Sequence, residues 1–232
     1  MPFSDAVELV GYHGLDDRPG FKLAMHERDG RWFLYVGHLW HSGWTVLDVT
    51  DPAEPVLTEH LAGPPNTWTL QVQAADGRLI TSLEPILEEW GHDPDGPPAE
   101  EGFYIWGLDD PAHPDRLGHW RTGASGTHRN YYAGGDHVHA CAGFPDMSER
   151  VYAAVDISDP ANPRTVGRWW WPGQNVGQGE SFSDADAKRV ISHHGGAYEQ
   201  GGLAYCPWMG AGMAVLDVSD PASPSLVGSL PV

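Results

Sequence analysis

One phrase recurs four times along the chain and sets narrow limits on how it can fold. It reads TVLDVTDPAEPVL from Thr45, YIWGLDDPAHPDRLG from Tyr104, AAVDISDPANPRTVG from Ala153 and AVLDVSDPASPSLVG from Ala214. The Asp-Pro pairs begin at Asp51, Asp110, Asp159 and Asp220, separations of 59, 49 and 61 residues, and each is followed by a second Pro three residues after the first. Self-similarity at roughly this spacing marks an array of structural repeats.

The chemistry of the phrase says what each repeat is. The apolar, β-branched run before the turn, Val46 to Val49 or Val215 to Val218, has the length and composition of a buried strand. Asp can cap the turn through its side chain, and the Pro after it fixes φ and withholds a ladder donor, so the strand stops there. A short restart strand follows each time: VLTEHL, DRLGHW, RTVGRWW and SLVGSL. The N-terminal VELVGYH matches these restarts, so units drawn from restart to turn run over about 7–55, 56–114, 115–163 and 164–224, with 225–232 opening a further one. A hairpin is legible in the middle of each unit, at RWFLYVG, GRLITSL, DHVHACAG and GGLAYCPW, each after a Gly-containing turn. Restart, hairpin and terminal strand make four antiparallel strands per unit, which is a propeller blade. The expectation is an all-β chain forming a single β-propeller domain over 1–232.

The phrase VLDVSDPASPSLVG resembles the signature of the LVIVD-repeat β-propeller family, and the likeness runs over essentially the whole chain. The second unit departs from it, with Gly107 where the strand should end in Asp, and carries the acidic, Pro-rich insertion EEWGHDPDGPPAEEG, expected to be an exposed loop. The resemblance implies a ring with more blades than the four visible. Two alternatives stay open: a fragment of a six- or seven-bladed ring, or a smaller ring whose spare strand completes a blade. No particular reaction is implied.

Composition narrows the partners. With 13 Lys and Arg against 32 Asp and Glu the formal charge is −19, which repels nucleic acid and anionic lipid. The N-terminal residues lack a basic, then apolar, signal pattern, and no run of eighteen apolar residues occurs, so a soluble, cytoplasmic protein is expected. Its oligomeric state is left open. Cys141 and Cys206, far from any CxxC pair, are expected in core strands.

Chemistry is sought on the first strand of each blade, because those strands line the channel of a propeller. Aligning the third and fourth units sets THRN against SHHG, so His128 matches His194, with Trp68 and Lys22 or Ala24 at the corresponding places of the other two. Two imidazoles from adjacent blades begin a transition-metal site, for which Zn or Fe is the expected ion, and His41 and His193 are further candidate ligands. Tyr131, Tyr198 and Glu180 are the candidate groups for handling a proton or a bound oxygen beside it. His137 and His139 are read as presenting at most one imidazole to a given ligand. Trp169 and Trp171 are expected on one face of their strand and Trp170 on the other, packed between sheets. No GxSxG, P-loop, HExxH or dinucleotide motif occurs. Two functions follow as alternatives: a metal-dependent enzyme of hydrolase or lyase type acting on a small molecule at the channel, or a non-catalytic scaffold binding a protein or small ligand.

Overall fold

Gly and Pro punctuation divides the chain into short strands, and the computed structural model, which describes residues 8–40, 43–182 and 198–231, arranges them in four antiparallel sheets. The first holds β1 (Gly20–Arg28), β2 (Arg31–His38), β3 (Trp44–Asp48) and β4 (Val56–Leu61) in that order. The second has a broken first strand, β5 (Thr67–Trp68) and β6 (Val72–Ala75), both pairing with β7 (Arg78–Pro85), then β8 (Gly102–Gly107) and β9 (Asp115–Trp120). The third is β10 (Gly126–Tyr131), β11 (His137–Gly143), β12 (Val151–Asp156) and β13 (Arg164–Trp169). The fourth is β14 (Tyr198–Gln200), β15 (Leu203–Trp208), β16 (Gly212–Asp217) and β17 (Ser225–Leu230). Strands follow one another in sequence order within every sheet, the meander of a propeller blade.

The repeated phrase builds the same outer edge each time. The strand-ending carboxylates of Asp48, Asp156 and Asp217 each accept a hydrogen bond from the backbone N–H two residues on, at 2.9 Å. The carboxylates of Asp51, Asp110, Asp159 and Asp220 do the same for Ala53, Ala112, Ala161 and Ala222 at 2.9 to 3.1 Å. These are tandem Asx turns, in which the side chain replaces the lost ladder partner. The second unit makes only the later of the two, since Gly107 has no carboxylate to offer. The register slips once between third and fourth strands in every sheet, at Val46/Leu47, Ile105/Trp106, Ala154/Val155 and Val215/Leu216, a bulge that twists the outer strand. Asp29-Gly30 and Asp76-Gly77 close hairpins with positive φ at both residues, as a two-residue I′ turn requires.

Hydrogen bonding shifts the phase of the units drawn from sequence. Each restart strand pairs with the strand before the Asp-Pro turn, so it is the fourth strand of the preceding sheet. SLVGSL therefore completes the fourth sheet as β17.

The sheets are held face to face by three apolar cores. Phe33, Tyr35, Trp44 and Val46 meet Val72, Leu79, Leu83, Tyr104 and Trp106 between the first two sheets. Ile80, Phe103 and Ile105 meet Val138, Ala140, Val151 and Val155 between the next two. Tyr152 and Ala154 meet Ala204, Cys206, Trp208 and Leu216 between the last two. Trp169 and Trp171 pack edge-on against Trp208 in this third core, and Trp170 turns to the second, as strand alternation predicts. Cys141 and Cys206 are both buried, and burial pushes the Cys206 thiol pKa up.

A joint of backbone locks neighbouring sheets at their outer edges. Gly118 of β9 lies so close to the turn of the third sheet that a β-carbon would collide with the carbonyl oxygen of Pro160, and Gly167 of β13 stands the same way against Pro221. On β4 Glu59 holds the place of these glycines, and the residue before it, Thr58, donates its hydroxyl to the Ala112 carbonyl, 3.1 Å away. Gly11, in the VELVGYH segment, meets the Pro52 carbonyl of the first sheet in the same manner. No helix among the described residues is long and apolar enough to cross a membrane.

Candidate functional site

The stretch LITSLEPIL, most of it on β7, is uncharged except for Glu84, and that interruption marks the site. The carboxylate is almost completely buried, a position a charge holds only when paired. One oxygen lies 2.7 Å from Nδ1 of His128 on β10, and the other accepts a hydrogen bond from the Arg150 guanidinium at the start of the third sheet's hairpin return. The pairing joins the end of β7, second strand of the second sheet, to β10, first strand of the third. Trp68 of β5 is the register partner of Glu84, so the two side chains share a face.

Arg129, next to His128, makes no ion pair among the described residues. Its Cζ lies 5.9 Å from the centre of the Phe21 ring on β1, and its Nε is buried with no hydrogen-bond partner. Burial works to lower its pKa, with the Glu84 charge opposing. Asn130 Oδ1 and Arg150 Nε are likewise buried and without a partner among the described residues. Three basic side chains thus surround one carboxylate in a chain that is otherwise strongly acidic.

Beside this polar group sits an apolar pocket of about 240 Å3, lined by Phe21, Leu39, Trp40, Trp68, Leu70 and Trp90. Trp90 reaches it from the insertion of the second unit, stacking edge-on against Trp68 at a ring separation of 5.8 Å. That insertion is fastened down rather than left free. Asn66 Nδ2 donates to the Asp93 and Pro97 carbonyls, Asp93 N–H donates back to Asn66 Oδ1, and Glu100 N–H donates to Thr67 Oγ1. The segment is mostly exposed, as the sequence leads one to expect, and these bonds hold it over the first strand of its sheet.

The other sequence candidates separate. Tyr131 and Tyr198 come together across third and fourth sheets, rings 5.4 Å apart, with the Tyr131 hydroxyl donating to the Glu199 carbonyl at 3.3 Å. Glu180 is spent on its own loop, its carboxylate accepting from the Gly173 and Asn175 N–H groups at 2.8 and 3.0 Å, which lowers its pKa. His41, His193 and His194 lie outside the described residues. Among the described residues no group of three or more His, Cys, Asp or Glu side chains is placed to hold a metal ion. His137 and His139 line one pocket with Asp136 and Glu199, which corrects the reading that at most one serves a given ligand, because residues i and i+2 of a strand share a face. His139 Nδ1 is 2.7 Å from the Tyr152 hydroxyl, and burial lowers its pKa to about 4.

A model of the LVIVD repeat matches residues 32–62, 152–169 and 200–231. Three segments of the chain match the LVIVD repeat. Among curated proteins none matches the sequence. The chain is similar to the X-ray structure of a hypothetical selenium-binding protein from Sulfolobus tokodaii, with 13% identity and a TM-score of 0.59 over 94% of this chain and 51% of that one. It therefore spans about half the length of that protein. It is also similar to the GH43_1 enzyme from Xanthomonas citri complexed with xylose, at 14% identity and a TM-score of 0.47 over 93% and 75% of the two chains. A third likeness is to the Bacteroides ovatus Xyloglucan PUL GH43B, at 12% identity and a TM-score of 0.46 over 93% and 41%. At such identities the likeness concerns the fold alone.

Proposed function

We propose that the LVIVD propeller binds a small anionic molecule at the junction of its second and third sheets, among His128, Arg129 and Arg150. The observation that carries this reading is the Arg129 guanidinium, its Nε buried and without a hydrogen-bond partner among the described residues, beside a carboxylate already engaged by His128 and Arg150. A buried donor without a partner is rare in folded proteins and is satisfied when a ligand supplies the acceptor. Titration with acetate, and separately with inorganic phosphate, should raise the thermal midpoint of the wild type above that in chloride of equal ionic strength. Arg129→Gln should lose the difference. An equal response of the two proteins to every anion would overturn the reading.

A second reading rests on the Glu84–His128 contact itself. A carboxylate on one imidazole nitrogen is the arrangement that orients a metal-ligating histidine, and it supports hydrolase or lyase chemistry on Zn or Fe held by His128 with His41, His193 and His194. The nearby guanidinium of Arg150 opposes a divalent cation there, which is why the anion stands first. Elemental analysis of the purified protein against the His128→Ala, His194→Ala double variant separates the two. Stoichiometric metal in the wild type, lost in the variant, would favour the metal.

A further inference from the structure

The polar cluster and the aromatic pocket share a seam, and together they specify more than an anion. We propose that the pocket takes the ring of an aromatic carboxylate whose carboxylate meets Arg129; this rests on the anion-binding reading above. Trp68 lines the pocket and is the register partner of Glu84, and Arg129 lies over Phe21, which lines the same pocket. Apolar wall and unpaired cation are thus within one small molecule's length of each other.

Size and chemistry each narrow the occupant. A cavity of about 150 Å3 lined by apolar side chains accepts benzene, so a pocket of about 240 Å3 takes one six-membered aromatic ring with a short chain. Its six lining residues are all apolar, four of them aromatic. They offer ring faces and edges for offset or edge-on stacking and few donors for the hydroxyls of a sugar. A quaternary ammonium would also suit an aromatic cage, but Arg129 already lies over the Phe21 face and would repel a second cation. The same guanidinium attracts a carboxylate, with a charge-assisted hydrogen bond to its buried Nε. Phe21, Trp40 and Trp90 are roughly half exposed, so the pocket opens to solvent and a ligand can enter without unfolding the sheets.

Titration of tryptophan fluorescence with 3-phenylpropionate, 3-phenylpropanol and 3-phenylpropyl-trimethylammonium tests the assignment. The carboxylate should bind at least about tenfold more tightly than the alcohol, and the ammonium weakest. Arg129→Gln should bring carboxylate and alcohol to equal affinity. Trp90→Ala, an exposed residue whose loss spares the cores, should weaken both by about tenfold. Acetate is the control for the reading beneath this one. If acetate binds through Arg129 but 3-phenylpropionate is no tighter than acetate, the aromatic assignment fails and the anion site stands. If neither binds, both fall. Tightest binding of the ammonium, or affinities unchanged in Trp90→Ala, would also overturn the proposal.

Discussion

His139 carries a proton reluctantly, and the reason is local. Its imidazole is buried against the Tyr152 hydroxyl with His137 nearby, and only the Glu199 charge favours protonation, so its pKa falls to about 4. In the unfolded chain a histidine titrates near 6.5. Between those values the unfolded state binds a proton that the folded state refuses, so stability is full above about pH 6.5 and declines as pH falls toward 4. Burial lowers His38, His60 and His119 in the same direction. The thermal midpoint should drop between pH 7 and pH 4.5, less steeply in His139→Gln; a midpoint flat over that range would contradict it. Asp48 and Asp156, held down to about 2 by bonds from Thr50 and Ser158 and by Arg31 and Arg164, act only at lower pH. Their contribution is present above 3.8 and lost as pH falls toward 2. Glu84 is the other residue with a defined penalty. Glu84→Gln leaves Arg150 and His128 without their shared anion and should destabilise the fold by about 3 kcal/mol, read from urea midpoints. The sequence made His128 visible because it recurs in phase with the repeat. Glu84 and Arg150 escaped notice because they lie 44 and 22 residues from it, brought near by strand pairing that no local pattern reveals. A lone charge inside LITSLEPIL was the available signal.

At the level of strands and turns, most of the architecture could be read before any coordinates. The Asp-Pro phrases give the third strand and its stop, and the Gly turns give the hairpins. What local sequence could not give was which neighbour the restart strand bonds to, since VLTEHL or DRLGHW is equally a first or a last strand until its partner is known. The joint between sheets was also hidden, because a Gly pressed on a carbonyl looks in sequence like any other Gly. That joint makes a sharp prediction. Gly118→Ala and Gly167→Ala force a methyl onto the Pro160 and Pro221 carbonyls and should each destabilise the fold by about 2 kcal/mol. Gly228→Ala, at the matching place on β17 with open space beside it, should change stability by less than about 0.5 kcal/mol. Equal effects at the three positions, measured by chemical denaturation, would show that the contacts do not matter.

Across the whole molecule, each apolar core is shared only by neighbouring sheets, which makes the array nearly one-dimensional in its energetics. The second and third sheets share cores on both faces, whereas Leu226, Val227 and Leu230 of β17 are exposed on the fourth. Amide hydrogen exchange should therefore be slowest in β8 and β12 and faster in β16, reflecting separate opening rather than one global event. A single exchange rate across all sheets would argue for full cooperativity instead. The joint at the outer edges has one more implication. It consists of a missing side chain on one sheet and a backbone carbonyl on the next, the same at Gly118 and at Gly167, so it recognises shape and carries no address. Sheets bonded this way are interchangeable parts: a duplicated blade could be spliced into the array, or one blade transplanted into another's place, without redesign of the contact that receives it.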